Sequence, residues 1–114
     1  MLAFRLFLLT VFLTIAAYTV YVVADHGINL LPVFFGDIAR MAWPGQFNLD
    51  FACFLLLSGL WLSWRHQFRP GGLVLGLCGV FGGAFFLSAY LLVVSYQTQG
   101  DMRVLLLGPE RAAA

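Results

Sequence analysis

The only acid next to an imidazole in this sequence is found in Asp25-His26. Histidine titrates near neutral pH, so this pair could handle a proton at an aqueous surface. The alternative, which we favour, is a solvated turn in which the imidazole lies near the negative end of a helix. Asp37 and Arg40, three residues apart, are typical of an ion pair on a helix surface.

The two cysteines, Cys53 and Cys78, lie inside apolar runs, and the sequence has no CxxC motif and no Cys/His cluster. They therefore indicate small buried hydrophobic side chains rather than a disulfide or a metal site. The second histidine, His66, is predicted at the opposite end of the fold from His26. From these residues we expect no catalytic residue, no cofactor and no metal site, so a protein that is not an enzyme.

Glycine is the most informative residue type in this chain. Gly72, Gly76, Gly79 and Gly83 are spaced by four, three and four, which puts them on one face of a helix. GxxxG spacing allows a neighbouring helix backbone to approach closely in lipid. The sequence therefore predicts helix packing on this face, within the chain, against a second copy or against another protein. Two stripes of small residues could receive it: Thr10, Thr14 and Ala17, or Ala52, Gly59 and Ser63.

The composition indicates that this helix packing takes place in lipid. Of 114 residues, 62% are apolar and 10% are charged, and six arginines against five acids leave a net charge of +1. Soluble domains are about half apolar and a quarter charged. These values exclude a soluble enzyme domain, a disordered tail and a nucleic-acid binder. They predict one all-α integral membrane domain over residues 1–114, which has the lipid bilayer as a partner.

Three runs of the sequence are predicted to cross the bilayer as helices, at about 6–24, 49–66 and 73–96. The first has 19 residues, or roughly 28 Å at about 1.5 Å per residue, which matches a bilayer core. A cleavable signal peptide is its alternative, although the run is longer than such segments usually are. The second contains only 14 uncharged residues, Phe51 to Trp64, so a re-entrant or an interfacial segment is its alternative. Asn48 is its predicted N-cap.

Between the first two helices, residues 31–43 predict a short amphipathic helix in the membrane interface, beginning at Pro32 and ending near Trp43-Pro44-Gly45. A loose apolar loop is the alternative. The last span is followed by a short polar tail, residues 98–114. Four aromatic residues near the helix ends are predicted interface anchors: Trp43, Trp61, Trp64 and Tyr96.

An up-down-up path through the membrane sets the expected orientation. It puts the N-terminus and the Arg65–Pro70 turn on one side, and the long loop and the tail on the other. Each side then has three arginines, so the positive-inside rule is nearly tied. Because Arg5, Arg65 and Arg69 lie close to helix ends, we expect a cytoplasmic N-terminus and a C-terminus outside.

One part of the sequence suggests a family. The segment Asp25-His26-Gly27-Ile28-Asn29-Leu30 is followed by Phe34-Phe35 and then by Phe47-Asn48-Leu49-Asp50, a short span and an arginine-bearing turn. This pattern resembles a family of small bacterial inner-membrane proteins of unknown function. The resemblance implies a multi-pass protein of the bacterial cytoplasmic membrane, and it carries over no catalytic or binding residue.

The glycine face and the lack of charged groups within the runs favour one function. We expect a small non-enzymatic membrane protein that acts as an accessory, stabilising or assembly subunit through helix–helix packing. Its partners would be other membrane-protein subunits or a second copy, and not nucleic acid. A homo-oligomeric transporter or channel component for a small solute is the alternative.

Overall fold

The computed structural model describes residues 1–113, which form six helices and no strand. In chain order these are α1 Leu2–His26, α2 Leu31–Ala39, α3 Trp43–Arg65, α4 Pro70–Gln97, α5 Met102–Leu107 and α6 Pro109–Ala113. Three of them, α1, α3 and α4, are long and apolar enough to cross a membrane. The expected all-α class and the three long apolar helices are therefore confirmed. Ala114, the last residue of the predicted tail, lies outside the described residues.

The path of α4 differs from the expectation, because the helix is broken at Gly83. Gly83 has φ 58° and ψ −142°, a conformation that residues with a Cβ rarely adopt. Residues 70–82 and 84–97 are therefore two half-helices, which we call α4a and α4b. At about 1.5 Å per residue, each is roughly 20 Å long.

The two halves of α4 lie side by side rather than end to end. The hydroxyl of Tyr90 in α4b is 2.6 Å from Nε2 of His66. A Cβ on Gly72, at the start of α4a, would touch that same His66. In a straight helix Gly72 and Tyr90 would be roughly 27 Å apart along the axis. The helix expected over residues 73–96 is therefore not straight: the chain turns at Gly83, and α4b runs back beside α4a.

As a result, both ends of α4 lie at one end of the molecule. The Arg5 side chain donates to the hydroxyl and carbonyl oxygens of Ser95, at 3.0 and 2.9 Å, and Gly100 lies against Met1. The expectation that the N-terminus and the tail lie at opposite ends is therefore wrong. We call this end, where α1 begins, α3 ends and the tail follows α4, the arginine end. The far end is where α1 ends and α3 begins.

Glycine allows α4a to approach α3 closely. A Cβ on Gly76 would lie 2.8 Å from the Gly59 carbonyl oxygen, and one on Gly59 would lie 2.9 Å from the Gly76 carbonyl oxygen. Ser63 takes part in the same contact, and its hydroxyl donates to the Gly59 carbonyl at 2.9 Å. Gly79 faces Leu62 in this interface. The Gly59 and Gly76 backbones therefore approach each other closely, with the Ser63 and Val80 side chains packed beside them.

The helix α1 packs on α4 much less closely than α3 does. Among its 25 residues only Leu8 is buried. Its best-defined contact with α4b is a stacked pair of rings, Phe12 and Phe85, with centroids 4.7 Å apart. Beyond the break, where α4 no longer separates α1 from α3, an apolar groove of about 770 Å³ opens between them.

The short helix α2 packs on the beginning of α3. The Asn48 amide donates to the Phe34 carbonyl at 3.2 Å, so Asn48 joins α2 to α3 and is not the predicted N-cap. The α3 helix begins at Trp43, six residues before the expected start. Pro44 occupies the first turn of α3, where its missing N–H costs nothing, instead of ending the preceding segment.

Candidate functional site: a buried arginine under the C-terminal tail

The side chain with the most unusual environment is Arg65, the last residue of α3, which is only 6% exposed. Its guanidinium donates to two carbonyl oxygens of α5, Leu105 at 2.6 Å and Val104 at 3.3 Å. It also donates to the Tyr90 hydroxyl at 3.1 Å. This one side chain therefore joins three elements: the end of α3, the returning half of α4 and the tail.

His66 and Tyr90 complete this hydrogen-bonded group. The Tyr90 hydroxyl and His66 Nε2 share a hydrogen bond of 2.6 Å, and the ring of Tyr90 meets the edge of Trp61. Burial, and secondarily the positive charge of Arg65, lowers the pKa of His66 below its usual range. The imidazole is therefore neutral near pH 7, and the electrostatic field around it is positive.

The tail is fixed to this group rather than free. Leu105 is fully buried, and the Trp61 indole N–H donates to the Leu106 carbonyl at 3.1 Å. Arg111 lies over the Trp64 ring, 4.1 Å from its centroid, and donates to the Trp64 carbonyl. Gly108, between α5 and α6, is buried against the Arg65 backbone, where a Cβ would lie 2.6 Å from the Arg65 carbonyl oxygen.

A polar cleft of about 340 Å³ lies between the α3–α4 turn and the tail. Its lining includes both buried and exposed polar groups: Arg65, His66, Arg69, Gln97, Thr98 and Glu110. Arg69 and Glu110 form an ion pair across it, with both side chains more than half exposed. With His66 neutral, the charged side chains of this lining sum to one positive charge.

Folding back at Gly83 brings the two arginines of the tail to the end that already holds three others. The arginine end carries five of the six arginines against two acids, Asp101 and Glu110. The five are Arg5, Arg65, Arg69, Arg103 and Arg111. The remaining arginine, Arg40, belongs to the rest of the molecule together with Asp25, Asp37 and Asp50. The side-chain charges are therefore +3 at the arginine end and −2 elsewhere.

The predicted helix-packing residues, Gly72, Gly76, Gly79 and Gly83, are all buried. They lie against His66 and α3 of the same chain, with Gly59 and Ser63 among their neighbours. The other candidate stripe, Thr10, Thr14 and Ala17, is exposed on α1 and does not receive these glycines.

The predicted anchors lie at both ends of the molecule. Three of them, Trp61, Trp64 and Tyr96, are at the arginine end. Trp61 and Trp64 contact the tail. The ring of Tyr96 lies under Arg5, with its centroid 3.8 Å from the guanidinium carbon. Trp43 is at the far end and is 73% exposed. The Asp25-His26 pair is also exposed at the far end, where His26 ends α1.

Sequence reasoning missed Tyr90, Ser95 and the docking of the tail. Tyr90 lies in an apolar run whose helical pattern gave no reason to place it beside Arg65. The signal that could have found the break is Gly82-Gly83, two adjacent glycines at the middle of a 24-residue run. No family model, curated protein or solved structure matches this chain.

Proposed function

We propose that this chain is a small multi-pass protein of a bacterial cytoplasmic membrane that acts without chemistry of its own, as an accessory or assembly subunit. The observation that carries this proposal is the free face of α1. In the most apolar 18-residue stretch of α1 only 6% of the residues are buried, against 22% in the corresponding stretch of α4. Thr10, Thr14 and Ala17 form a line of small side chains on that exposed face. Because α3 already covers the glycine face of α4a, α1 is the surface left for a partner helix.

The Thr10 hydroxyl supports this use of α1. It donates to the Leu6 carbonyl at 2.8 Å, so it leaves no unsatisfied donor when another helix covers it. Small side chains with satisfied hydroxyls permit close helix contact in lipid. We therefore place the partner along the Thr10–Ala17 face.

The test is purification of the full chain in mild detergent with its partner. We expect a stoichiometric companion with the native chain and its loss in Thr14→Leu, which puts bulk on the proposed face. Leu13→Ile, at an exposed neighbouring position, is the matched control and keeps the companion. Circular dichroism checks that both variants remain helical. A native chain that purifies alone, or equal loss in both variants, contradicts the proposal.

We also propose that α1 and α3 cross the membrane, that α4 is a re-entrant hairpin and that both termini are cytoplasmic. Five arginines at the arginine end support this orientation under the positive-inside rule. From Arg5 to Asp25 along α1 is roughly 30 Å, one bilayer core. The α2 helix would then lie in the outer interface.

Single cysteines test the orientation in intact cells, in a Cys53→Ala, Cys78→Ala background. A membrane-impermeant maleimide is expected to label Ala39→Cys from outside. It is expected to spare both Ala3→Cys and Ala113→Cys until the membrane is permeabilised. Labelling of Ala113→Cys but not Ala3→Cys in intact cells would show that α4 crosses, and so would contradict the hairpin.

A further inference from the structure

We propose that the cleft at the arginine end binds the phosphate of an anionic phospholipid headgroup. This inference rests on the membrane placement proposed above, but it is independent of the partner proposed for α1. Three observations carry it: a buried cation without an acid, a polar cleft open beside it, and the position of that cleft at a predicted headgroup level.

The cation is Arg65. Neither acid at its end neutralises it, since Glu110 pairs with Arg69 and Asp101 caps α5 by accepting the backbone N–H groups of Arg103 and Val104. Among residues 1–113 no carboxylate oxygen lies within 4 Å of the Arg65 guanidinium. A buried charge whose partners are carbonyls, a hydroxyl and the neighbouring imidazole, with no carboxylate among them, is costly, and an anion nearby offsets that cost.

The cleft supplies the space and the donors. Its volume of about 340 Å³ is on the order of ten times the share of one water in the liquid, which is enough for a phosphate with some of its hydration. Arg69 contributes an exposed guanidinium, a group whose planar fork matches phosphate oxygens, and Arg65, whose donors are already engaged, contributes its positive charge. Gln97 lines the same cleft and brings a neutral amide donor, whereas the Thr98 hydroxyl already donates to the Val94 carbonyl at 2.9 Å.

The position of the cleft selects a lipid as the source of the phosphate. Trp61, Trp64 and Tyr96 surround this end, and aromatic side chains of this kind favour the headgroup region. The charge of +3 at the arginine end complements the anionic lipids of a cytoplasmic leaflet. A phosphate at this depth is therefore most readily supplied by a headgroup.

The experiment uses the full chain in nonionic detergent with added phosphatidylglycerol or, separately, phosphatidylcholine. Native mass spectrometry counts retained lipids, and thermal unfolding measures stabilisation. We expect one phosphatidylglycerol per chain, with a rise in Tm, and no retained phosphatidylcholine. Equal retention of the two lipids overturns the proposal. Stabilisation by inorganic phosphate alone, without any by phosphatidylglycerol, also overturns it, because the ligand is then a soluble anion.

Two matched arginine variants localise the binding. Arg69→Gln removes a cation from the cleft, and Arg40→Gln makes the same charge change in the exposed Arg40–Asp37 pair. We expect Arg69→Gln to weaken phosphatidylglycerol binding roughly fivefold and Arg40→Gln to leave it unchanged. An equal loss in both variants would show a non-specific charge effect and overturn the cleft as the site.

The imidazole of His66 gives a second readout that does not depend on a variant. Because the charge of Arg65 helps to lower the pKa of His66, a phosphate beside Arg65 raises that pKa. Phosphatidylglycerol is expected to raise the pKa of His66, measured by NMR, more than phosphatidylcholine does. Equal shifts with the two lipids overturn the proposal. A chain that inserts into vesicles but fails these tests refutes the headgroup site alone, whereas failure to insert refutes the membrane placement as well.

Discussion

The two halves of α4 make opposite kinds of interface. The first half, α4a, meets α3 through glycines, with the Gly76 and Gly59 backbones in contact. The second half, α4b, meets α1 through long side chains, with the Phe12–Phe85 stack at the centre and Leu8 as the only buried residue of α1. Close backbone contact leaves no room for a larger residue, whereas side-chain contact tolerates adjustment. The first interface therefore has no room to adjust, whereas the second has some.

The largest expected effect comes from filling the glycine interface. Gly76→Leu would drive its side chain into the Gly59 carbonyl and the Ser63 hydroxyl, so we expect the free energy of unfolding to fall by about 3 kcal/mol. SDS titration of the chain in mixed micelles, followed by circular dichroism, measures this quantity. Gly71→Leu is the matched control, because a Cβ at Gly71 meets nothing within 4 Å. Similar stabilities for the two variants would refute the close contact of α3 and α4a.

A smaller effect is expected at the break between the two halves. Gly83→Ala puts a Cβ on a residue at φ 58°, so we expect a loss of about 2 kcal/mol in the same titration. Gly36→Ala, in the regular helix α2 with open space around it, is the control and should not destabilise the chain. If Gly83→Ala proves as stable as the native chain, the left-handed break is not required for the fold.

Next in size is the hydroxyl that joins α4b to the end of α3. Tyr90→Phe removes an acceptor for Arg65 and the partner of His66, so we expect a loss of about 1 kcal/mol. Tyr18→Phe, on the exposed surface of α1, is the control for the same chemical change. An identical unfolding midpoint for the two variants would mean that Tyr90 contributes only its ring.

The smallest effect is expected at the α1 interface. Phe12→Leu breaks the stack with Phe85 but keeps an apolar side chain, so we expect a loss of about 0.5 to 1 kcal/mol. Phe7→Leu, at a 62% exposed position on the same helix, is the control. A loss at Phe12 as large as that at Gly76 would remove the contrast between the two interfaces.

Much of the architecture follows from composition and periodicity alone. Apolar runs of 19 and 24 residues predict long helices, because a backbone segment in lipid must satisfy its own hydrogen bonds. The four-three-four spacing of the glycines predicts a closely packed face, and Gly59 and Ser63 are on one of the two stripes offered for it. These features are local, since helix period and residue size are properties of a short segment.

The tertiary structure decided what local patterns could not. Whether the 28-residue apolar helix α4 continues straight through Gly83 depends on the contacts that the returning half α4b makes. These contacts are the hydrogen bonds by which Arg65 meets Tyr90 and the tail, and Arg5 meets Ser95. These partners are 25 to 90 residues apart in the chain, so no spacing rule relates them. The return of α4 in turn brings Arg103 and Arg111 to the end that already holds Arg5, Arg65 and Arg69, so five arginines share one end only in the folded molecule.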